Sequence, residues 1–422
     1  MPAPDLPVDL DEFLAGHKQE LIEFRRDLHA HPEIAHAERR TTAKVAQRLM
    51  AAGLRPRIMS SGTGLWADVG TGSGPLVALR ADLDALAIPD EKHVPYRSTV
   101  PNLSHACGHD VHTAVLVGAG LFLAGRANRG LLPGRVRLLF QPAEEVVEGA
   151  LTAMGEGAIT GVDRIFALHC DPRFEIGQIG LRTGPITGAC DKIKVRVSGP
   201  GGHTARPHLT ADLVYALGKI VTELPAALSR RVDPRSSLSL VWGRISAGLA
   251  PNAIPEDGFA AGTVRCLDEE AWHQAPDLLK GLVSSVASAY GVIAELDYVR
   301  GVPPAVNDGD SVRILGEAAE LAIGPEAVAQ APQSLGGEDV AWYLESIPGA
   351  LARLGIRGPQ TPPDLDIHQP NFDVDERAIG VGVRLMAASA LIALSAAGVQ
   401  RVGASDVVAG PHPAIVAQKS RG

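Results

Sequence analysis

Two hydrophobic periods alternate along the first part of the chain. Some segments repeat apolar side chains at helical spacing, and the short apolar runs between them are typical of buried strands. Strands that alternate with helices predict a mostly parallel sheet covered by helices on both faces. The helical segments are residues 9–30, 38–54, 113–124 and 150–157, and the strands are residues 76–79, 136–140 and 164–168.

The pattern changes near residue 190. Residues 191–198 alternate apolar and polar positions, as a half-buried antiparallel strand does. The order that follows is strand-helix-strand-strand-helix-strand, which is the ferredoxin-like arrangement. We therefore expect an α/β fold with a mostly parallel sheet and an inserted ferredoxin-like α+β domain. The larger domain comprises residues 1–189 and 301–397, the insert residues 190–300, and residues 398–422 a flexible tail.

Composition excludes several classes of protein. The 422 residues carry a net charge of −9, which opposes binding to nucleic acid phosphates. No run of 18 apolar residues is present, so we expect no membrane partner. The N-terminal segment lacks the apolar stretch of a signal peptide, and four cysteines are too few for a disulfide scaffold. These features predict a cytoplasmic protein with reduced thiols.

Reactive side chains follow each predicted strand at once. Because the carboxyl ends of parallel strands meet at one edge of a sheet, we expect these side chains to lie close together. Cys107-Gly108-His109 precedes an apolar helix. Far along the chain, His368 follows Asp364 and Asp366. The full set is Asp82, Asp84, Cys107, His109, Glu144, Glu145, His169 and His368.

These residue types indicate a metal. Thiolate, imidazole and carboxylate together suit a borderline-soft divalent cation such as zinc. Gly108 permits an unusual turn that aims Cys107 and His109 into one site. Adjacent side chains diverge, so we expect one of Glu144 and Glu145 to bind metal and the other to act as a general base on an acidified water. The alternative for this pair is a solvated helix start.

The insert carries a separate signal. His203 lies in a glycine-rich turn at residues 198–208, which can bring an imidazole close to a ligand. A tight hairpin with an incidental histidine is the alternative. Asn252 and Arg265 lie on the same insert, and the planar fork of an arginine suits a carboxylate, although most arginines are simply exposed.

Taken together, these motifs resemble the dinuclear metallopeptidase-type amidohydrolases, the group of hippurate hydrolase, auxin-conjugate amidohydrolase and N-acyl-amino-acid aminoacylase. The matching segments occur in family order over nearly the whole chain. They are RRDLHAHPE at 25–33, ALRADLDAL at 78–86, SHACGHDVHTA at 104–114, FQPAEE at 140–145, ALH at 167–169, GPGGHTARPH at 199–208, PNAIP at 251–255, GTVR at 262–265, GGEDVAWYL at 336–344 and HQPNFDVDE at 368–376.

The resemblance implies a dinuclear metal site in the larger domain, with Glu144 as general base and Asp82 as an orienting group. Zinc is the expected metal, and manganese, cobalt and nickel stay open. More distant relatives have a metal-binding histidine where this chain has Arg80, and an aspartate that bridges the metals near Cys107. The sequence leaves open whether Cys107 bridges here. The implied ligands are Cys107, His109, Glu145, His169 and His368.

The resemblance also implies roles for the insert. His203 would stabilise the oxyanion, often across a homodimer that forms through the inserted domain, and Asn252 and Arg265 would hold the carboxylate of a small-molecule substrate. The implied activity is metal-dependent hydrolysis of the amide bond of N-acyl amino acids, hippurate-like or related. The alternatives are a dipeptidase, a desuccinylase or a catalytically silent metal-binding relative.

Overall fold

The computed structural model describes residues 5–403. Helices α1 to α9 span Leu6–Ala30, Arg39–Ala51, His109–Asn128, Gly149–Gly155, Leu213–Leu228, Glu269–Ser288, Gly309–Ala322, Ala341–Ser346 and Arg377–Gly403. Strands β1 to β16 span Arg57–Ile58, Leu65–Val69, Leu76–Asp82, Arg135–Gln141, Arg164–Glu175, Ile179–Leu181, Gly184–Thr187, Ala189–Ser198, Gly202–His203, Ser239–Ala247, Ala253–Ile254, Asp257–Cys266, Ile293–Val302, Ala305–Asn307, Val328–Gln330 and Gly349–Arg357.

An eight-stranded sheet forms the centre of the larger domain, in the order β1-β2-β4-β3-β5-β16-β6-β15. The central pairs β4-β3, β3-β5 and β5-β16 are parallel, whereas the pairs β2-β4 and β16-β6 are antiparallel. The carboxyl ends of three parallel strands, β3, β4 and β5, therefore lie side by side. The predicted α/β class with a mostly parallel sheet is confirmed.

Alternation along β3 assigns its residues to two helical layers. Val77 and Leu79 pack in the core that includes α1, α2, α3, α7 and α9, whereas Leu76 and Ala78 pack in the core that includes α4 and α8. Since successive side chains of a strand point to opposite faces, Arg80 points toward α8. The sheet is buried on both faces, which is why its strands read as continuous apolar runs.

The smaller domain has an antiparallel four-stranded sheet in the order β10-β12-β8-β13. Helices α5 and α6 pack on one face of it, and β8 alternates buried and more exposed residues because its other face is open. The two chain segments that join the domains are neighbours, since Cys190 pairs with Val302. Asp191 fastens this junction by accepting hydrogen bonds from Trp272 Nε1 at 2.8 Å and from the Gly301 amide at 2.8 Å.

Helix α9 is apolar around most of its circumference. It alone among the described helices has the length and composition to cross a membrane, over Arg377–Ala396, but 78% of that window is buried inside the molecule. It packs against α3 and α7, as a core helix does. The helix continues to Gly403, past the predicted domain end at residue 397. The rest of the predicted tail, residues 404–422, lies outside the described residues.

Candidate metal centre

The amino end of α3 and the carboxyl ends of β3, β4 and β5 form one buried pocket of polar side chains. Gly108 precedes α3 with a φ of +90°, a left-handed conformation that favours glycine. A Cβ atom at this position would lie 2.9 Å from the Cβ and Sγ atoms of Cys170. Glycine therefore permits the turn that places Cys107 and His109 in the same pocket.

All five predicted ligands come together here, with Cys107, His109 and His169 buried, Glu145 half-buried and His368 exposed at the edge. The Cys107 Sγ atom lies 3.3 Å from His169 Nε2, and Glu145 Oε1 lies 3.8 Å from His109 Nε2 and 3.7 Å from His368 Nε2. Cys107, His109 and His169 form one group of three possible ligands, and Cys107, Glu145 and His368 form another, with the ligand atoms of each group within 4.8 Å of one another. Cys107 is the member that these two groups share.

Hydrogen bonds outside the pocket orient two of its imidazoles. His109 Nδ1 donates to the Asp84 carbonyl oxygen at 2.9 Å, and His169 Nδ1 donates to the Cys170 carbonyl oxygen at 2.7 Å. Each Nε2 atom therefore faces the pocket. The Nε2 atom of His109 and the Oε1 atom of Glu145 are buried, and neither has a hydrogen-bond partner in the described part of the chain. Buried imidazole nitrogens and carboxylate oxygens without hydrogen bonds are suitable ligands for a divalent metal. The hydrogen bonds at the Nδ1 atoms are those expected behind metal-binding histidines.

Burial and neighbouring charges shift the pKa of several of these ligand residues. Burial raises the pKa of the Cys107 thiol well above its usual range and raises the pKa of Glu145 to about 7. Burial opposes protonation of His109, but the Asp82 carboxylate and Cys107 outweigh it and raise the pKa of His109. A bound cation would displace protons from these three groups, whereas burial lowers the pKa of His169 and of His368.

Asp84 fixes the backbone of the two adjacent glutamates. Its Oδ1 atom accepts from the Glu144 amide at 3.1 Å, and its Oδ2 atom accepts from the Glu145 amide at 2.9 Å. Glu145 joins the second donor group, whereas Glu144 is buried beside it, with Oε2 3.9 Å from His109 Nε2. The divergence expected of adjacent side chains is not observed, because one carboxylate oxygen of each glutamate and His109 Nε2 all lie within 4.8 Å of one another. Glu144 lies next to the cluster of five ligands without belonging to either of the groups that share Cys107.

The turn before Glu144 depends on a residue that the sequence analysis did not single out. Ala143 adopts a φ of +55°, which is costly for a residue with a Cβ atom. The Glu38 Oε1 atom stabilises this turn by accepting from the amides of Ala143 at 2.8 Å and His36 at 3.1 Å. Burial raises the pKa of Glu38 to about 7. No motif marks Glu38, because its partners are backbone amides.

Arg80 occupies a buried ionic network instead of the donor cluster. Its guanidinium donates to Asp82 Oδ2 at 2.8 Å, to Asp339 Oδ1 at 2.8 Å and to Gln141 Oε1 at 3.0 Å. Asp82 Oδ1 accepts from His112 Nδ1 at 2.6 Å, so Asp82 lies between the arginine and that imidazole. Sequence reasoning gave no role to Asp339, although it lies in a segment that carries the resemblance.

His112 has both nitrogens engaged, which fixes its tautomer. Its Nδ1 atom donates to Asp82, and its Nε2 atom accepts from the Cys170 amide at 2.8 Å. His112 therefore offers no free lone pair to a metal and acts as a support. A second buried network lies beneath the first turn of α3, where Asp110 accepts from Arg25 Nε at 2.6 Å and from His29 Nδ1 at 2.7 Å.

The predicted residues of the insert lie apart from the cluster. His203 and Asn252 are exposed on the ribbon formed by β9 and β11, where His203 pairs with Ala253. Arg265 is partly buried on β12 and donates to the Leu335 carbonyl oxygen of the larger domain at 2.9 Å. Within residues 5–403, no hydrogen bond or ion pair joins any of the three to the donor cluster.

The fold and the ligand cluster together indicate a metal-binding hydrolase scaffold, and comparison with known proteins gives its family. The model of Peptidase family M20/M25/M40 matches residues 78–391. The chain belongs to this family.

Three relatives illustrate the similarity. The chain is 49% identical over 372 residues to a Rhodococcus jostii protein named glutamate–cysteine ligase 2-3, a match that covers 88% of this chain and 46%, about half, of that relative. It is 38% identical to the N-acetyl-L-cysteine deacetylase of Bacillus subtilis, over 87% of this chain and 86% of that protein. The crystal structure of Bacillus subtilis YXEP, a dinuclear metal-binding peptidase, superposes with a TM-score of 0.80 at 33% identity, over 90% and 99% of the two chains.

Replacement of Arg80 by methionine tests the buried network. The substitution leaves Asp82 and Asp339 without their cation, and we expect the free energy of unfolding to fall by about 3–5 kcal/mol. Denaturant titration measures the loss. Arg235→Met removes an exposed arginine that pairs with Asp233 at the surface, and we expect no measurable change. Equal losses in the two variants would contradict this account of the network.

Replacement of Glu38 by glutamine tests the turn. Between pH 4.5 and about 7 the folded protein retains a proton on Glu38 that the unfolded chain has released, so its contribution to stability is lost as pH rises through this window. We expect the decline of stability across this window to be shallower in Glu38→Gln, by up to about 1.4 kcal/mol per pH unit. Denaturant titration at several pH values measures it, with the exposed Glu317→Gln as control. Identical slopes in Glu38→Gln and wild type would refute the assignment.

Proposed function

We propose that this protein is a metal-dependent amidohydrolase that hydrolyses the amide bond of N-acyl amino acids to a carboxylic acid and a free amino acid. One observation carries the proposal, namely that the buried Glu144 carboxylate lies beside two donor groups that share Cys107. A relative named N-acetyl-L-cysteine deacetylase supports the substrate class, and a structural neighbour described as dinuclear supports the metal count.

Two divalent ions are the proposed cofactors. Cys107, His109 and His169 would hold one ion, and Cys107, Glu145 and His368 would hold the other. A thiolate with imidazoles favours zinc, while manganese, cobalt and nickel also suit such donors. The chemistry supplied by such ions when bound is polarisation of the amide carbonyl and acidification of water.

Glu144 is the proposed general base. It takes the proton of the attacking water and later delivers it to the nitrogen of the leaving amino acid, which lets one carboxylate serve both steps. Asp84 holds the backbone of Glu144 in place through its amide. Asp82 acts behind the site, since it orients His112 and neutralises Arg80.

The insert supplies the proposed contacts to the substrate. His203 stabilises the developing oxyanion, and Asn252 and Arg265 hold the α-carboxylate. His203 Nδ1 accepts from the Ala205 amide at 3.0 Å, which leaves Nε2 as the nitrogen directed to a ligand. Because the described chain holds His203 away from its own donor cluster, we propose that His203 acts in the site of a second copy, in a homodimer formed through the inserted domain.

Glu144→Gln is the central test of this function. We expect the variant to retain the metal content of the wild type and to lose about 10²–10⁴-fold in kcat toward N-acyl amino acids, because the amide of glutamine accepts no proton. A panel that includes N-acetyl-L-cysteine and hippurate, with elemental analysis of each preparation, measures both. Glu148→Gln is the matched control, since Glu148 is an exposed glutamate near the same turn that pairs with His36. Undiminished turnover in Glu144→Gln would exclude this base.

Complementation between inactive variants tests the homodimer. A heterodimer of Glu144→Gln and His203→Ala chains contains one site with an intact base and an intact histidine from the other subunit. We expect the purified heterodimer to recover about half of the wild-type activity, whereas each parent stays at least roughly 100-fold below it. Differently tagged chains, expressed together and purified by both tags, provide the sample. A heterodimer no more active than its parents would show that His203 acts within its own chain.

A further inference from the structure

A buried guanidinium without a partner lies beside the donor cluster. Arg353, on β16, is 7% exposed, and its Nε atom is buried with no hydrogen bond. Within the described residues, no hydrogen bond and no ion pair involves any nitrogen of this side chain. An isolated charge removed from water is costly, so such a group is retained where a ligand supplies the missing partner.

The position of Arg353 directs it to the site. It pairs in register with His169 on the parallel strand β5, and paired residues of neighbouring strands project from the same face of a sheet. His169 Nε2 contacts Cys107, so Arg353 flanks one side of the donor cluster. The positive charge of Arg353 lowers the pKa of His169, after the larger effects of burial and His112, which is consistent with this proximity.

The acidic groups around Arg353 are already engaged. Both oxygens of Asp171 accept from Arg173, at 2.9 and 2.6 Å. The Oε1 atom of Glu338 lies 3.2 Å from the Nη2 atom of Arg80. Burial lowers the pKa of Arg353 itself. Asp171 and Glu338 raise that pKa, but not enough to cancel the effect of burial. The free guanidinium is therefore available to an anion that enters with the substrate.

We propose that Arg353 binds a second carboxylate of the substrate, so that the enzyme prefers N-acyl amino acids that carry one carboxylate beyond the α-carboxylate. The inference rests on the proposed function, in which Asn252 and Arg265 take the α-carboxylate. A guanidinium binds a carboxylate through two parallel hydrogen bonds, which gives both charge and shape selection. The second carboxylate of the substrate belongs either to its acyl group or to the side chain of its amino acid.

Two matched ligand pairs separate these sources. N-succinylglycine against N-succinamoylglycine tests the acyl group, and N-acetyl-L-glutamate against N-acetyl-L-glutamine tests the side chain. Binding is measured by calorimetry on metal-loaded Glu144→Gln, so that no ligand is turned over. We expect the carboxylate of one pair to bind roughly 10–100-fold more tightly than its amide, as for a charge-assisted hydrogen-bonded pair.

Variants at Arg353 assign the preference. In Arg353→Met the ratio should fall to within about twofold, and in Arg353→Lys it should be partly retained, because lysine keeps the charge but not the fork. The control Arg313→Met removes an exposed arginine of α7 and should keep the full ratio. A ratio near one in both pairs, or a ratio unchanged in Arg353→Met, would overturn the inference.

Stability distinguishes a ligand-binding arginine from a structural one. Removal of an unpaired buried charge should leave the melting temperature of Arg353→Met unchanged or raise it, and a clear decrease would count against the proposal. Failure of the proposed function gives a different result. In that case the wild type hydrolyses none of the four compounds and the Glu144→Gln protein binds none of them.

Discussion

One aspartate after β3 determines the geometry of the site. The Asp84 carbonyl oxygen accepts from His109, and its two carboxylate oxygens accept from the amides of Glu144 and Glu145. A single residue thus orients a candidate ligand from α3 and fixes the peptide that bears both glutamates after β4. Because β3 and β4 are parallel neighbours, the loops at their ends lie within reach of one short side chain. The placement of both glutamates beside His109 Nε2 follows from this arrangement.

A second consequence concerns buried charge. The cluster concentrates a thiol, imidazoles and carboxylates, and the layer behind it concentrates Arg80, Asp82 and Asp339 in a compensated network. Arg80 is fully paired, whereas Arg353 on the same face has no hydrogen bond or ion pair with any of residues 5–403. Two arginines with similar burial therefore differ in their pairing, and we assign them different roles. The first belongs to the support of the site, and the second is the residue that we propose binds a carboxylate of the substrate.

The sequence predicted the fold class and the side chains that converge, since strand ends and reactive residues coincide along the chain. Apart from Asp82, it did not predict the residues that support them. Asp339 lies 259 positions from Arg80, and Glu38 acts on backbone amides, so neither has a local pattern. Arg353 gave no signal because an arginine in an apolar run shows its lack of partners only in three dimensions. The homodimer, the cytoplasmic location and the individual roles of the site residues stay predictions.

The paired junction at Cys190 and Val302 makes the insert a module with adjacent ends. All five candidate ligands and the candidate base come from segments outside it, between Cys107 and His169 and at His368. Recombination or drift could therefore change the residues of the insert while the candidate metal ligands of the larger domain are inherited unchanged. A lineage with this architecture can change its substrate range through mutations in one contiguous stretch of the gene.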